Sequence, residues 1–420
     1  MSSGTVSSTA FSTGEHPTSG SAPGGGERPY VPWLSWGRVV GIVAIVAIHV
    51  FGHLVYERGQ ISGLEWHVAN LVQSAGRFGV PVFVLVSGAA LLGVPGGGAA
   101  AGSVVGSRVG SPAGSRAGSL RHFYRRRAAR VAVPLVVWTG FFLWFDRWML
   151  DQPVTAYTFV QGYLWGRPYY HLYFLYVVAG LYLITPFLRV FVAYASRRMV
   201  ALAAATCLAL AAADKVQHAW MGGGGGFNAF TYFVPWIGYY LLGAVLLDPA
   251  VRRRIVRSTA RWHWALAYVG SVLVATGLTA WLFPLIGNRT LQVTYDYFVP
   301  MTLVAAVSAI VLLQRSERPE GTGGTGAGGV GAATSGGSDA ATSGGSATTG
   351  MPLGRRLGDL TLGVFLLHPI PLAFVRANQP EFASAWTNLA FHGLTVVGLL
   401  LGCAVVTAAV RRVPGLRRLV

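Results

Sequence analysis

An arginine and a histidine, Arg38 and His49, lie inside the first long apolar run of this chain, Trp33 to Tyr56. In a helix crossing a membrane both side chains are costly, and ionisable groups there read by default as functional. Eleven steps of about 100° bring the two to nearly the same face, and a rise of about 1.5 Å per residue separates them by about 16 Å. A guanidinium at the water interface can grip an anionic group. A partly desolvated neutral imidazole deeper on the same stripe is a good general base for a sugar hydroxyl. The competing reading is an imidazole that only hydrogen-bonds a neighbouring helix. His53 lies one turn further on the same face, so the two histidines offer a metal pair. No acidic or cysteine ligand accompanies them in this run, and no metal site is expected.

Other ionisable groups recur at comparable places. Arg77 opens the stretch Arg77-Phe-Gly-Val-Pro-Val-Phe-Val-Leu-Val-Ser-Gly88 at a depth similar to that of His49. It can polarise a reacting carbonyl or cap carbonyls freed near Pro81. Ser87 and Gly88 read as small residues that let helices approach, rather than as a nucleophile. Arg127 and Arg130 are three apart, share a helix face and can hold phosphates at the membrane surface, although part of that basic run is ordinary topology signal. His171, in His171-Leu-Tyr-Phe-Leu-Tyr176, reads as part of an aromatic interfacial belt. His368, in Gly363-Val-Phe-Leu-Leu-His368, falls near mid-helix, as a second member of the polar site or as an interhelical hydrogen bond.

The elements that must carry these residues are membrane helices. The chain has 420 residues, of which 53% are apolar and only 11% charged, and several apolar runs reach the roughly 20 residues that span a bilayer. The expected class is all-α, a polytopic helix bundle with about ten spans at 33–56, 67–93, 130–149, 169–193, 198–214, 230–247, 262–283, 297–314, 358–376 and 386–410. The net charge of +18 is not a nucleic-acid footprint, and no nucleic-acid partner is expected. The basic residues gather in alternate gaps, at Arg121 to Arg130, Arg197 and Arg198, Arg252 to Arg261, and Arg315 through Arg356. Arg411, Arg412, Arg417 and Arg418 follow the last span, while Arg58, Arg167, Lys215 and Arg289 are the main exceptions. That asymmetry predicts a multi-pass protein of the cell membrane with both termini in the cytoplasm.

Three segments look unlike the rest. Residues 1–30 are rich in Ser, Thr, Gly and Pro without an apolar core, so they read as a disordered tail. Residues 319–350, almost all Gly, Thr, Ala and Ser, read as a disordered cytoplasmic linker interrupting the membrane domain at 31–420. Pro95 to Ser119 is a third Gly/Ser/Ala-rich stretch. Cys207 and Cys403 both fall in apolar segments and suggest no disulfide framework.

Taken together, these pieces resemble the acyltransferase 3 family of integral-membrane acyltransferases. The resemblance rests on Arg38 to His49, on Val80-Pro-Val-Phe83 through Ser87-Gly88, on Arg127 to Arg130, and on Leu367-His368. Phe83-Val84 stands where the family usually has two Phe. The stretch Tyr170 to Tyr176, continuing through Gly180 to Pro186, is similar to the branch that O-acetylates surface polysaccharides. The resemblance implies transfer of an acyl group, commonly acetyl, from cytoplasmic acyl-CoA to a hydroxyl of a surface or lipid-linked glycan. The donor is then a substrate, with no permanently bound cofactor. It also implies that His49 is catalytic, with Arg77 and His368 in the same site, and that Arg38, Arg127 and Arg130 bind the donor. The rival reading is a transporter or flippase for a glycan or acylated small molecule, with the buried charges lining its path.

Overall fold

The computed structural model describes residues 30–57, 62–92, 113–166, 168–221, 228–316 and 352–420. The tail through residue 29, the linker at 319–350 and residues 95–112 of the third biased stretch lie outside the described residues, as does the side chain of Arg127. From Pro32 onward the chain forms one unit. Its elements are α1 (Pro32–Tyr56), α2 (Gly63–Gly76), α3 (Gly79–Leu92), α4 (Ala113–Met149), α5 (Ala156–Trp165), α6 (Tyr173–Tyr194), α7 (Arg197–Met221) and α8 (Ile237–Leu247). They continue with α9 (Pro249–Ser258), α10 (Arg261–Ile286), α11 (Arg289–Thr294), α12 (Pro300–Ser316), α13 (Leu353–Leu367), α14 (Pro369–Ala377) and α15 (Ala385–Arg412). Among the described residues there is no strand, so the all-α expectation holds.

Seven helical runs among the described residues are long and apolar enough to cross a membrane: α1, α2–α3 taken together, α4 from Phe123, α6, α7, α10 and α15. Two bent pairs, Val234–Leu247 with α9 at 77° and α13 with α14 at 45°, raise the number to nine if each is one span. The sequence predicts ten. The remaining one is α12, whose 17 residues are fewer than the roughly 20 that cross a bilayer without thinning it. α4 starts at Ala113, well before the expected 130 and inside the Gly/Ser/Ala-rich stretch, because Ala and Arg are good helix formers when neighbours support them.

Proline places the breaks that matter for the site. The expected second span divides at Arg77 and Phe78, where Pro81 lacks the N–H that would pair with the Arg77 carbonyl. The expected ninth span divides at His368, because Pro369 and Pro371 withdraw two consecutive ladder donors from the Phe365 and Leu367 carbonyls. His368 therefore sits at a 45° bend rather than within a straight helix.

α1 and α2–α3 form the centre, with 56% and 72% of their most apolar stretch buried, against 17% in α10 and in α15. The outer helices present large apolar side chains such as Leu266, Leu273, Leu401 and Val405, as lipid-facing helices do. Close backbone approach holds the centre together. A Cβ on Gly88 would lie 1.9 Å from the Tyr240 carbonyl oxygen, and one on Gly243 would lie 2.1 Å from that of Leu85. Gly88 thus fills the packing role expected for it, at the crossing of α3 and α8. α1 runs parallel to α13, with Ser35 beside Gly358 at one end and the His49 and His368 imidazoles paired further along. α15 runs the opposite way, bringing Arg411 to the Asp359 carbonyl at the Arg38 end and His392 to His53 at the other.

Candidate active site

The site is built on the last turns of α1, where three successive carbonyls each accept a side-chain hydrogen bond. Gln73 Nε2 of α2 donates to Ile48 O at 2.5 Å. Arg376 of α14 donates to His49 O, and His53 Nδ1 donates to Val50 O at 3.0 Å. These contacts, added to the helix ladder, hold the backbone of His49 from two sides. α2 can come this close because Gly76 has no side chain: a Cβ there would meet Ile48 Cγ2 at 2.4 Å.

The half-buried His49 imidazole lies 2.8 Å, Nδ1 to Nε2, from the fully buried His368. The two rings are nearly parallel, at 9° with centroids 5.1 Å apart. His368 Nδ1 is 3.0 Å from the Val364 carbonyl oxygen. A carbonyl can only accept, so Nδ1 of His368 carries a proton and its Nε2, in the neutral ring, is an acceptor. His49 must then donate from Nδ1, which leaves Nε2 of His49 as the unprotonated atom. Among the described residues that nitrogen has no hydrogen-bond partner. The chain Val364, His368, His49 thus fixes the tautomer a general base needs.

Aromatic rings enclose the pair. Tyr170 stands edge-on to His49 with centroids 4.8 Å apart. His171 follows it in the short turn before α6. The sequence places His171 in an interfacial belt, but the structure leaves it 1% exposed, with its centroid 5.7 Å from that of His368. Belt residues keep their polar end wet, and this ring does not.

Arg77, at the α2–α3 break, is turned toward its own helix. Its Nη2 donates to Gln73 Oε1 at 2.8 Å, and its guanidinium lies 4.8 Å from the centroid of the Tyr295 ring. Through Gln73 it is linked to the Ile48 carbonyl, one residue from His49. Arg38 is half-buried at the far end of the α1 stripe, and Arg130 is exposed on α4. The structure therefore brings His49 and His368 into contact, sets Arg77 one link away, and keeps Arg38 and Arg130 apart from them. The His49–His368 nitrogen separation is that of a hydrogen bond. Among the described residues, no group of three or more metal-ligating side chains gathers.

Sequence reasoning passed over Arg376 and His392, and misplaced His171. Arg376 sits eight residues past His368, but the bend at Pro369 decides that it folds back onto α1. His392 is one polar residue on an otherwise apolar helix, and that was its only signal.

The sequence model of the acyltransferase 3 family, described as an acyltransferase domain, matches residues 31–409. No curated protein and no solved structure matches the chain.

Proposed function

The chain belongs to the acyltransferase 3 family and is a membrane acyltransferase; on that premise we propose that it moves an acyl group, acetyl in the first instance, from acyl-CoA to a hydroxyl of a surface or lipid-linked glycan. The observation that carries this reading is the hydrogen-bond chain from Val364 through His368 to His49, which leaves the His49 Nε2 lone pair available. His49 Nε2 takes the proton of the acceptor hydroxyl while the hydroxyl oxygen attacks the thioester carbonyl carbon. The tetrahedral intermediate collapses with loss of the CoA thiolate, which receives the proton from His49. His368 keeps the imidazole in the right tautomer and disperses its transient positive charge.

The donor enters from the Arg38 end of α1, with Arg38, Arg127 and Arg130 holding the CoA phosphates. A span of about 16 Å along the helix axis suits an extended pantetheine arm reaching from those phosphates to His49. Arg77 adds a fixed positive charge next to the clamped carbonyls of α1. The protein sits in the cell membrane with both termini in the cytoplasm. A reporter fused after Ser335 then reads cytoplasm, and one near Gly224 reads outside.

Purified protein in detergent, supplied with acetyl-CoA, should release free thiol, and His49→Ala should abolish most of that release with the fold intact. Absence of thiol release and of acyl transfer from well-folded wild-type protein would reject the reading.

A further inference from the structure

His171 is a polar side chain with nothing to bind. It is 1% exposed, and neither Nδ1 nor Nε2 has a hydrogen-bond partner. Its surroundings are rings: Phe142 with centroids at 4.8 Å, Phe365 at 5.2 Å, Tyr170 at 5.5 Å and His368 at 5.7 Å. Buried polar atoms in folded proteins are nearly always paired, and an exception calls for a reason. Packing alone does not supply one, because a phenyl ring would fill an aromatic box of this kind without burying an unpaired donor. The position matters too. Tyr170 lies against both His171 and His49, and His368 touches both. The unpaired imidazole thus flanks the two side chains that define the reacting position.

Resting on the acyl-transfer reading above, we propose that His171 is a catalytic residue whose N–H donates a hydrogen bond to the acyl oxygen of the thioester. As the acceptor oxygen bonds to the carbonyl carbon, the C=O π pair moves onto that oxygen, and the resulting oxyanion takes up the His171 hydrogen bond. The pair returns to re-form C=O as the C–S bond breaks, and the proton taken by His49 leaves with the thiolate. His171 changes neither its charge nor its proton count. The other cation near the site is less suited to this task, since Arg77 is engaged by Gln73 and lies over Tyr295.

The test uses the full chain in detergent, with acetyl-CoA as donor and water or glycerol as acceptor. His171→Phe fills the same box without a donor, whereas His171→Gln restores an N–H. The expected result for His171→Phe is a loss of about 100-fold in kcat, typical of removing one oxyanion donor, with KM for acetyl-CoA little changed. His171→Gln should recover about tenfold of that loss. Near-normal kcat in His171→Phe overturns the assignment, and so does an equal loss in Phe and Gln accompanied by a lowered melting temperature. If His171→Phe does not fold, the infrared carbonyl stretch of bound acetyl-CoA labelled with carbon-13 decides. It should lie below that of free donor in the wild type and partway back in His171→Gln, and an unshifted band in the wild type refutes the hydrogen bond. Loss of thiol release in His49→Ala alongside full activity in His171→Phe would leave the acyltransferase reading standing and remove only this assignment.

Discussion

Two histidine pairs tie α1 to later helices, four residues apart on α1, and their protons are arranged in opposite ways. In the inner pair, His368 is anchored by Nδ1 on a carbonyl and offers Nε2 to Nδ1 of His49. One neutral ring donates, the other accepts, and Nε2 of His49 remains open. In the outer pair both rings are anchored by Nδ1: His53 on Val50 O at 3.0 Å and His392 on Asn388 O at 2.8 Å. Their Nε2 atoms therefore face each other, 3.2 Å apart. Two neutral rings in that arrangement present lone pair to lone pair, and the contact becomes a hydrogen bond only when one ring carries a second proton. Asn388 also donates to the carboxylate of Glu65 at 2.6 Å, so an acidic group stands two links from His392. The same residue type, one turn along the same helix, yields an available base in one place and an interhelical tie in the other. What differs is which ring nitrogen a backbone carbonyl has claimed.

That contrast is most directly broken at His49. His49→Ala should lower kcat by about 10²–10⁴-fold, the range for loss of a general base, with donor affinity and membrane insertion preserved. Thiol release from acetyl-CoA measures it. Near-normal turnover would mean that the open nitrogen is not the base.

Arg38→Ala separates donor binding from chemistry. It removes a charge-assisted phosphate contact worth about 1.5–3 kcal/mol, so the apparent KM for acetyl-CoA should rise by about 10- to 150-fold with kcat nearly unchanged. Wild type and variant should behave alike toward an acetyl thioester of pantetheine, which lacks the nucleotide phosphates. A persisting difference with that donor would assign Arg38 to structure instead.

His368→Phe keeps the ring volume but removes the acceptor that fixes the His49 tautomer. Loss of a partner that orients a functional imidazole commonly costs about 10–100-fold, and the fall should appear in kcat, with KM little altered. An effect equal to that of His49→Ala would indicate that His368 itself touches the substrate.

The smallest effect belongs to the outer pair. His392→Phe should change kcat by less than about threefold, because it removes a tie between helices and not a proton acceptor at the reacting hydroxyl. Its cost should show instead as a lower melting temperature in detergent. A kcat loss matching that of His368→Phe would erase the distinction between the pairs.

Much of this molecule could be read from its residues. Long apolar runs in a chain with few charges require backbone groups to pair within each segment, so helices follow from composition alone. The spacing of Arg38 and His49 on one stripe follows from helix geometry. Their link to an acyltransferase came from the order of short motifs, and the family match over residues 31–409 supports it. Tertiary structure decided what spacing within one helix cannot express. Pro369 is visible in the sequence, but only the packing of α13 against α1 shows that the bend sets His368 beside His49 and returns Arg376 to the same turn. His171 looks like one more residue in an aromatic run until the rings of α4 and α13 close over it. The proton positions on both histidine pairs depend on carbonyls that lie one turn back on each ring's own helix and on rings more than 300 positions away in sequence. A linear chain specifies which groups can donate or accept, whereas their pairing is settled by distances that exist only once the helices have packed.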